Sequence, residues 1–336
     1  MLTRTHIEMR AYTLSGEGTS TMQRQVLMHG RVLLAFVPLV LMAQIQPVRT
    51  VTSQAQRVGS LPVPGFQNGY LYFLDHAMVR AFSPDGFPVL TAVVEVPDDK
   101  GYVWADGLAV DTDGTFAIGV AYGGPSYQFG GIAFYNKDGQ PDGFVATGSY
   151  IPANLCFADD HSLWTFGRQY GRADYMTVHH FGSDRKDVGQ FLARSIFPKG
   201  MPPGEGHWQT RRITVAQDRV GFLAFSGGYG NLNEWVELDL SGKLIRRVRL
   251  DQPEFTPMAF TADGHLYRQP DYKSALQVLS QTTSEWQDAG MGTLGQLLGS
   301  DGNSLVFSPD GNGPVTMQWF SQPASSGYLP EAQAHP

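Results

Sequence analysis

The 336-residue sequence is poor in charged residues and in cysteine. Asp, Glu, Lys and Arg make up only 16% of it, against about 25% in a typical soluble domain. Its one cysteine, Cys156, excludes an internal disulfide and any metal site built from several cysteines. This thiol lies in an apolar run, and we expect it to be a buried core residue.

Basic residues are also in deficit, since the formal net charge is -7 and the isoelectric point is near 5.7. Proteins that bind nucleic acid concentrate Lys and Arg against the phosphates. We therefore expect no nucleic acid partner. The sequence is instead rich in Gly (39 residues), Pro (21 residues) and aromatic residues (12%), which favours short strands and turns in one large repetitive β architecture.

An apolar run near the N-terminus, residues 32–43, has the pattern of a secretory signal peptide. Arg24 and Arg31 precede it, a small residue ends it, and its twelve residues are too few for a stable transmembrane helix. We expect 28–43 to be a signal peptide and 1–27 to be an extension from a misassigned start codon. The mature protein would then be extracytoplasmic, periplasmic or secreted, with no stable membrane span. An uncleaved anchor and a buried core segment are the alternatives.

A turn motif between two apolar stretches recurs six times along the chain. Its equivalent residues are spaced by 45, 47, 58, 45 and 38 residues, and they are Asn68, Asp113, Asp160, Asp218, Asp263 and Asp301. A second family of turns, such as residues 83–86, lies between the copies. Asx-Gly turns favour tight hairpins, so each repeat contains two hairpins, or four antiparallel strands. Four strands in about 45 residues is typical of a propeller blade.

The repeats predict an all-β fold, a six-bladed β-propeller with four-stranded blades over residues 51–322. The last repeat stops after its third strand, 315–320. Residues 49–57 are therefore expected to supply the fourth strand, closing the ring by pairing the two ends of the chain and removing an exposed edge. Residues 323–336, rich in Ser, Pro, Gly and Ala, are expected to form a disordered tail.

One face of such a ring carries tight turns, here called the hairpin face, and the other carries the longer connections, here called the long-loop face. Ligands are expected on the long-loop face, where the loops between second and third strands, among them residues 122–130 and 167–175, are rich in Tyr and Arg. Such a rim suits a sugar, an aromatic acid or an acidic peptide. Alternatively, the tyrosines fill gaps between blades. The candidate ligand-binding residues are Tyr127, Arg168, Tyr170, Arg172, Trp208, Arg212 and Tyr229.

The 58-residue spacing marks an insertion between the third and fourth repeats, residues 195–210, which is rich in Pro and Gly. A long loop on the ligand face is suited to be a lid or a surface for a partner, and a plain surface loop is equally expected. If the ring were purely a scaffold for other proteins, apolar side chains of the insertion such as Phe197, Met201 and Trp208 would be exposed.

Residues 105–114 read Ala-Asp-Gly-Leu-Ala-Val-Asp-Thr-Asp-Gly. This stretch resembles the Pro-Asp-Gly-Leu-Ala-Val-Asp-x-Asp-Gly segment of the SMP-30/gluconolactonase family and, more loosely, the NHL repeat. Residues 152–155, Pro-Ala-Asn-Leu, are similar to that family's Pro-Asn-Gly-Leu element. The resemblance implies that Asp106 and Asn154 hold Ca²⁺ or another divalent cation, which polarises an ester carbonyl or activates water. Alternatively, Asp106 is an ordinary turn residue.

These observations favour an exported binding module that takes a small molecule, a protein or a peptide at its long-loop face, and no catalytic residue is assigned to it. The alternative is a metal-dependent lactonase or esterase that uses Asp106 and Asn154 on the same ring. Beyond the cation that the resemblance implies, the sequence names no cofactor. Convergence of Asp106, Asn154 and a further oxygen ligand at one point would favour the enzyme.

Overall fold

The computed structural model of the chain describes residues 45–56, 65–75, 77–94, 96–97, 101–124, 127–197, 213–216, 218–225, 233–250, 257–271, 273–281, 283–309 and 314–322. Over these ranges the chain forms 24 β-strands and one 3₁₀ turn, Arg194–Ile196, and they contain no α-helix. The predicted signal peptide, the N-terminal extension and the C-terminal tail lie outside the described residues.

The strands form six antiparallel sheets of four strands, which are the blades of a propeller. Blade 1 contains β2 (Gly65–Gln67), β3 (Tyr70–Asp75), β4 (Met78–Phe82) and β5 (Pro88–Val93). Blade 2 contains β6 (Tyr102–Val110), β7 (Phe116–Gly124), β8 (Tyr127–Tyr135) and β9 (Pro141–Gly148). Blade 3 contains β10 (Tyr150–Phe157), β11 (Leu163–Gln169), β12 (Met176–Phe181) and β13 (Asp187–Ala193).

The second half of the ring follows the same plan. Blade 4 contains β14 (Ile213–Ala216), β15 (Arg219–Phe225), β16 (Asn233–Asp239) and β17 (Leu244–Leu250). Blade 5 contains β18 (Met258–Phe260), β19 (Leu266–Arg268), β20 (Gln277–Leu279) and β21 (Trp286–Asp288). Blade 6 contains β22 (Gln296–Asp301), β23 (Ser304–Ser308), β24 (Pro314–Ser321) and, from the other end of the chain, β1 (Arg49–Gln56). The six-bladed all-β fold is therefore confirmed.

Blade 6 closes the ring in the predicted way. β1 pairs antiparallel with β24, with Arg49 opposite Trp319, and it forms the fourth strand of the sheet β22-β23-β24-β1. The guanidinium of Arg49 also lies 4.6 Å from the centre of the Trp319 ring. Because β1 covers the free edge of β24, the first and last strands of the propeller belong to one sheet.

The predicted Asx turns form the tight hairpins between the first and second strands of the blades. In blade 1, Asn68 and Gly69 both have positive φ (47° and 79°), which Asn and Gly tolerate best. In blade 2, the Asp113 carboxylate accepts the Thr115 N–H at 2.8 Å. These local bonds explain why a motif only a few residues long sets the strand register in successive repeats.

The hydrophobic core lies mainly between adjacent blades. Phe166 of blade 3 packs on Phe222 of blade 4 with ring centroids 4.4 Å apart, and Trp235 of blade 4 packs on Phe260 of blade 5 at 5.3 Å. Cys156, as predicted, is buried in this core. Since aromatic pairs of this kind each bury a large apolar area, the blades are stabilised chiefly by their neighbours.

The backbones of blades 2 and 3 lie so close to each other that two positions between them have no room for a side chain. A Cβ added to Gly119 of β7 would overlap the carbonyl oxygen of Pro152 in β10, and one added to Gly107 of β6 would lie 2.5 Å from the carbonyl oxygen of Ala153. Glycine is required at these two positions because the neighbouring backbone occupies the space of a side chain. The close approach brings the polar residues of the two blades together.

Candidate functional site

A central cavity of about 130 Å³ lies on the axis of the ring. It is lined by the first strand of every blade, namely β2, β6, β10, β14, β18 and β22. A buried water needs roughly 10–15 Å³ on this scale, so the cavity has room for several waters or for a small molecule. This cavity is the candidate functional site, here called the channel.

The hairpin end of the channel is bridged by one side chain. Gln67, at the end of β2, donates from Nε2 to the carbonyl oxygen of Leu155 at 3.1 Å, and its Oε1 accepts the N–H of Val110 at 3.0 Å. The neighbouring Asn68 donates to the carbonyl oxygen of Val110 at 2.6 Å. Blades 1, 2 and 3 are thereby tied together at this end of the channel.

An ion pair between blades 2 and 3 lies in the channel wall. Asp106 is the extra residue of a β-bulge in β6, where the register with β7 shifts between Ala105 and Gly107. Its Oδ2 lies 3.2 Å from Nη1 of Arg168 on β11, and the two side chains are only 10% and 15% exposed. Bulges are frequent where a strand must redirect a side chain, and this one turns a carboxylate toward the neighbouring blade.

Asn154 contributes a buried amide to the same cavity. It lies in β10, beside a second register shift between Pro152 and Asn154, and the residue is 5% exposed. Its Nδ2 has no hydrogen-bond partner among the residues that the structure describes. A buried amide without a partner costs about 1–3 kcal/mol, so the channel wall offers an N–H that a bound molecule can satisfy.

Cys156 also lines the channel, two residues further along β10. Burial raises the pKa of its thiol to about 12, and Sγ donates to the carbonyl oxygen of Phe157 at 3.4 Å. A thiol with this pKa is neutral at physiological pH and a poor nucleophile. Its contribution to the site is apolar surface.

A divalent cation does not fit the Asp106 and Asn154 positions. Both residues line one cavity, as the family resemblance requires, and Oδ2 of Asp106 accepts no hydrogen bond from the described residues, but the carboxylate already has the guanidinium of Arg168 as its counter-ion. Ca²⁺ takes six to eight oxygen ligands. Within the described ranges, Asp106 belongs to no group of three or more His, Cys, Asp or Glu side chains that converge on one point.

The predicted Tyr and Arg rim is only partly described. Tyr170 and Arg172 lie exposed in the loop after β11, and neither is among the residues that line the channel. Tyr127 begins β8, and its side chain is outside the described set. The remaining rim candidates, which lie outside the described residues altogether, are Trp208, Arg212 and Tyr229. Arg168 does not line the channel either, but among the predicted ligand-binding residues that the structure describes it is the one that contacts a lining residue, Asp106.

Two predicted loop boundaries were wrong, and one exposure that a purely scaffolding ring would require is not observed. β7 continues to Gly124 and β8 begins at Tyr127. Most of the predicted 122–130 loop is therefore strand, because its residues continue the hydrogen-bonded ladder between β7 and β8. Similarly, β11 extends to Gln169 and includes Arg168. Phe197, expected to be exposed on a scaffold, is buried at 3% exposure against Phe166. Met201 lies outside the described residues.

A second polar cluster joins blades 2 and 3 on the hairpin face. The buried Asp111 accepts the N–H of Thr112 at 2.6 Å, and its Oδ2 lies 2.8 Å from Nδ1 of His161 in the next blade. Asp113 lies close to both groups. The hydrogen bond and the charge of Asp111 raise the pKa of His161 above its usual 6.5. Asp111 and His161 are therefore explained as an ion pair that links blades 2 and 3.

The sequence reasoning missed Gln67 and the role of Arg168 as the partner of Asp106. The bridging Gln67 carries no motif, and Arg168 meets Asp106 only when two blades are assembled. A usable signal was present, however, because glycines inside strand patterns indicate bulges or close backbone contacts. Gly107 and Gly119 are such residues, and they mark the blade boundary where the channel side chains meet.

No family model matches the sequence, and no curated protein matches it. Among solved structures, a gluconolactonase from Xanthomonas campestris is 13% identical over 82% of this chain and 98% of its own, with a TM-score of 0.47. Virginiamycin B lyase from Staphylococcus aureus is 12% identical over 81% and 98%, with a TM-score of 0.42. An aldose sugar dehydrogenase from Streptomyces coelicolor, in its PQQ-bound form, is 14% identical over 82% and 98%, with a TM-score of 0.46.

These neighbours are six-bladed propellers, in keeping with the NHL and SMP-30 resemblance of the sequence. At such identities and TM-scores the similarity concerns the fold alone and carries no information on activity. Among the described residues, no helix is long and apolar enough to cross a membrane.

Proposed function

We propose that this chain is an exported β-propeller that binds a small, uncharged polar molecule in its channel. The observation that carries the proposal is the Asn154 amide, which is buried, lines the cavity and has an Nδ2 without a partner in the described part of the chain. A ligand oxygen that accepts this N–H would remove the cost of an unpaired buried amide.

The charge of the channel wall supports an uncharged ligand. Asp106 and Arg168 compensate each other at 3.2 Å, so the pair brings no net charge that a ligand must neutralise. A charged group placed beside this pair would leave water without gaining a free partner there, and desolvation of an unpaired charge is costly. The other aspartates of the lining, Asp111 and Asp159, lie toward the hairpin end. A molecule with hydroxyl or carbonyl groups fits both the Asn154 donor and the polar cavity.

The long-loop face is the proposed entrance. Gln67 bridges three blades at the opposite end of the channel, while Arg168 is the penultimate residue of β11 and stands next to the loop that carries Tyr170 and Arg172. Those two exposed side chains are suited to contact a ligand on entry. A protein or peptide bound at the same rim is the competing form of this proposal, and the experiment below separates the two.

The metal-dependent lactonase or esterase stays the alternative, and it requires a cation at Asp106 and Asn154. The ion pair with Arg168 counts against that requirement, so binding is the function that we favour. A channel that bound small molecules only in the presence of a divalent cation would reverse this preference.

Export is part of the proposal because of the apolar run at 32–43 and the two arginines before it. The test is fractionation of cells that express the full chain, followed by N-terminal sequencing of the protein recovered. We expect an extracytoplasmic protein that begins near residue 44. An intact N-terminus in the cytoplasmic fraction would refute export and leave the binding proposal standing.

The binding test is a panel of small molecules in matched uncharged, anionic and cationic forms, together with a peptide library, screened by thermal shift and followed by calorimetry. The variants are Asn154→Ala and, as a matched control, Ser183→Ala in an exposed turn of the hairpin face. We expect an uncharged hit that binds wild type and the control alike. Asn154→Ala should bind it about tenfold more weakly, the value of one hydrogen bond.

Three outcomes would contradict the proposal: a panel with no hit, hits confined to peptides, or hits that bind Asn154→Ala as tightly as wild type. The same variant also tests the premise without a ligand. Because it removes a buried Nδ2 that has no partner in the described part of the chain, Asn154→Ala should unfold within about 2 °C of wild type. A large loss of stability would mean that the amide is already satisfied in the free protein.

A further inference from the structure

We infer that Arg168 takes the place of a metal cation at Asp106, so that the channel works without a divalent cation and Arg168 determines this property. The inference rests on the proposed function in treating the channel as the binding site. It concerns what the site excludes, which the proposed function does not specify.

The geometry gives Asp106 a permanent counter-ion from the neighbouring blade. Arg168 belongs to β11 of blade 3 and Asp106 to the bulge in β6 of blade 2, and Nη1 lies 3.2 Å from Oδ2. Both side chains are largely buried, so water screens the pair poorly. Arginine stays protonated at any pH at which the fold is stable, and its charge is therefore always present at this position.

A divalent cation bound to Asp106 would lie next to that guanidinium. The two positive charges would repel each other in a partly buried site. In the described portion of the chain, the group of three metal-ligating side chains within reach of one another is Asp111, Asp113 and His161 on the hairpin face, which does not include Asp106.

Removal of Arg168 should change this preference. Asp106 would then be a mostly buried carboxylate without a counter-ion, a state that is strongly destabilising. A cation in solution can replace the lost charge, with Asn154 of the same cavity as a further ligand through its Oδ1. Wild type should therefore ignore Ca²⁺, and a variant without the guanidinium should respond to it.

The experiment measures thermal unfolding of the full chain in EDTA, in millimolar CaCl₂ and in NaCl of equal ionic strength. The variants are Arg168→Met, Arg168→Lys and the double variant Asp106→Asn/Arg168→Met. We expect no difference between the three solutions for wild type and Arg168→Lys. Arg168→Met should unfold about 5 °C or more below wild type in EDTA and recover part of that shift in CaCl₂. The double variant should lose the response to Ca²⁺.

Stabilisation of wild type by CaCl₂, or Ca²⁺ binding to wild type in calorimetry, would overturn the inference where Asp106→Asn abolishes it, since Ca²⁺ bound at Asp111, Asp113 and His161 would not depend on Asp106. An Arg168→Met protein that folds and ignores Ca²⁺ would also overturn it. If Arg168→Met does not fold, the wild-type calorimetry decides. This experiment uses Ca²⁺ alone as its probe, so its outcome does not depend on the proposed ligand. A channel that binds Ca²⁺ can still bind the ligand, and a channel that ignores Ca²⁺ can still fail to bind the ligand.

Discussion

The boundary between blades 2 and 3 and the boundary between blades 5 and 6 are built in different ways. At the first, β6 and β7 carry glycines that let the backbone of β10 approach directly, and the strands are seven to nine residues long. At the second, every strand of blade 5 has three residues. There a buried side chain, Gln269, reaches across to Gly295 and Leu297 of blade 6.

The difference shows where a propeller can place a polar site. Because the backbones are in direct contact here, polar side chains are not needed to link the two blades, and the pairs Asp106–Arg168 and Asp111–His161 both cross this boundary. At the boundary of blades 5 and 6 a polar side chain is itself the structural link, and it is fully committed to backbone groups. Polar residues at the boundary of blades 2 and 3 therefore form charged pairs beside the channel, whereas the polar residue at the boundary of blades 5 and 6 links the two blades.

The largest expected effect is a steric one at the boundary of blades 2 and 3. Gly119→Ala would place a methyl group on the carbonyl oxygen of Pro152, so one of the two strands has to move. We expect a loss of about 3 kcal/mol or more in the free energy of unfolding, roughly 6 °C or more in Tm. Chemical and thermal unfolding of the variant measure it.

The matched control is Gly182→Ala, since the nearest atom to its added Cβ is the end of the flexible Asp184 side chain at 3.0 Å. It should cost about 1 kcal/mol or less. Equal losses in both variants would show that the backbone approach of blades 2 and 3 has no special role in stability.

A smaller effect is expected at the boundary of blades 5 and 6. Gln269→Ala removes an Nε2 donor 2.6 Å from the carbonyl oxygen of Gly295 and an Oε1 acceptor 2.8 Å from the N–H of Leu297. Two buried backbone groups lose their partner, so we expect a loss of about 2 kcal/mol in denaturant unfolding. Gln287→Ala, an exposed position of the same blade, should stay within about 0.5 kcal/mol; similar losses for the two glutamines would contradict the assignment.

The smallest effect is a pH dependence at the hairpin end of the blade 2 and 3 boundary. Asp111 raises the pKa of His161 through a hydrogen bond and its charge, so the folded state favours the protonated imidazole. The resulting stabilisation is fully present below the unfolded value of 6.5 and is lost as the pH rises through the folded pKa. The Tm of wild type minus that of His161→Gln should therefore be larger near pH 5.5 than near pH 8, and a difference that grows with pH would contradict this sign.

The repeat and its closure could be predicted from the sequence because they depend on local chemistry. The turns at Asn68 and Asp113 fix hairpins through bonds within a few residues, and the missing fourth strand of the last repeat points to 49–57. The ion pair of Asp106 with Arg168 could not be predicted, because it depends on how two blades are assembled. Asp106 and Asn154, which the resemblance implied as metal ligands, both line the channel, but the resemblance could not indicate that a guanidinium accompanies Asp106.

The central claim is that the channel between the inner strands, at the side of blades 2 and 3, is where this protein holds its ligand. A crystal structure of the protein with the tightest uncharged hit of the panel tests it most directly. We expect the bound molecule inside the channel, with an oxygen within hydrogen-bond distance of Asn154 Nδ2 and with Asp106 still paired to Arg168. A ligand on the outer edge of a blade, or one bound through a metal ion at Asp106, would contradict the account.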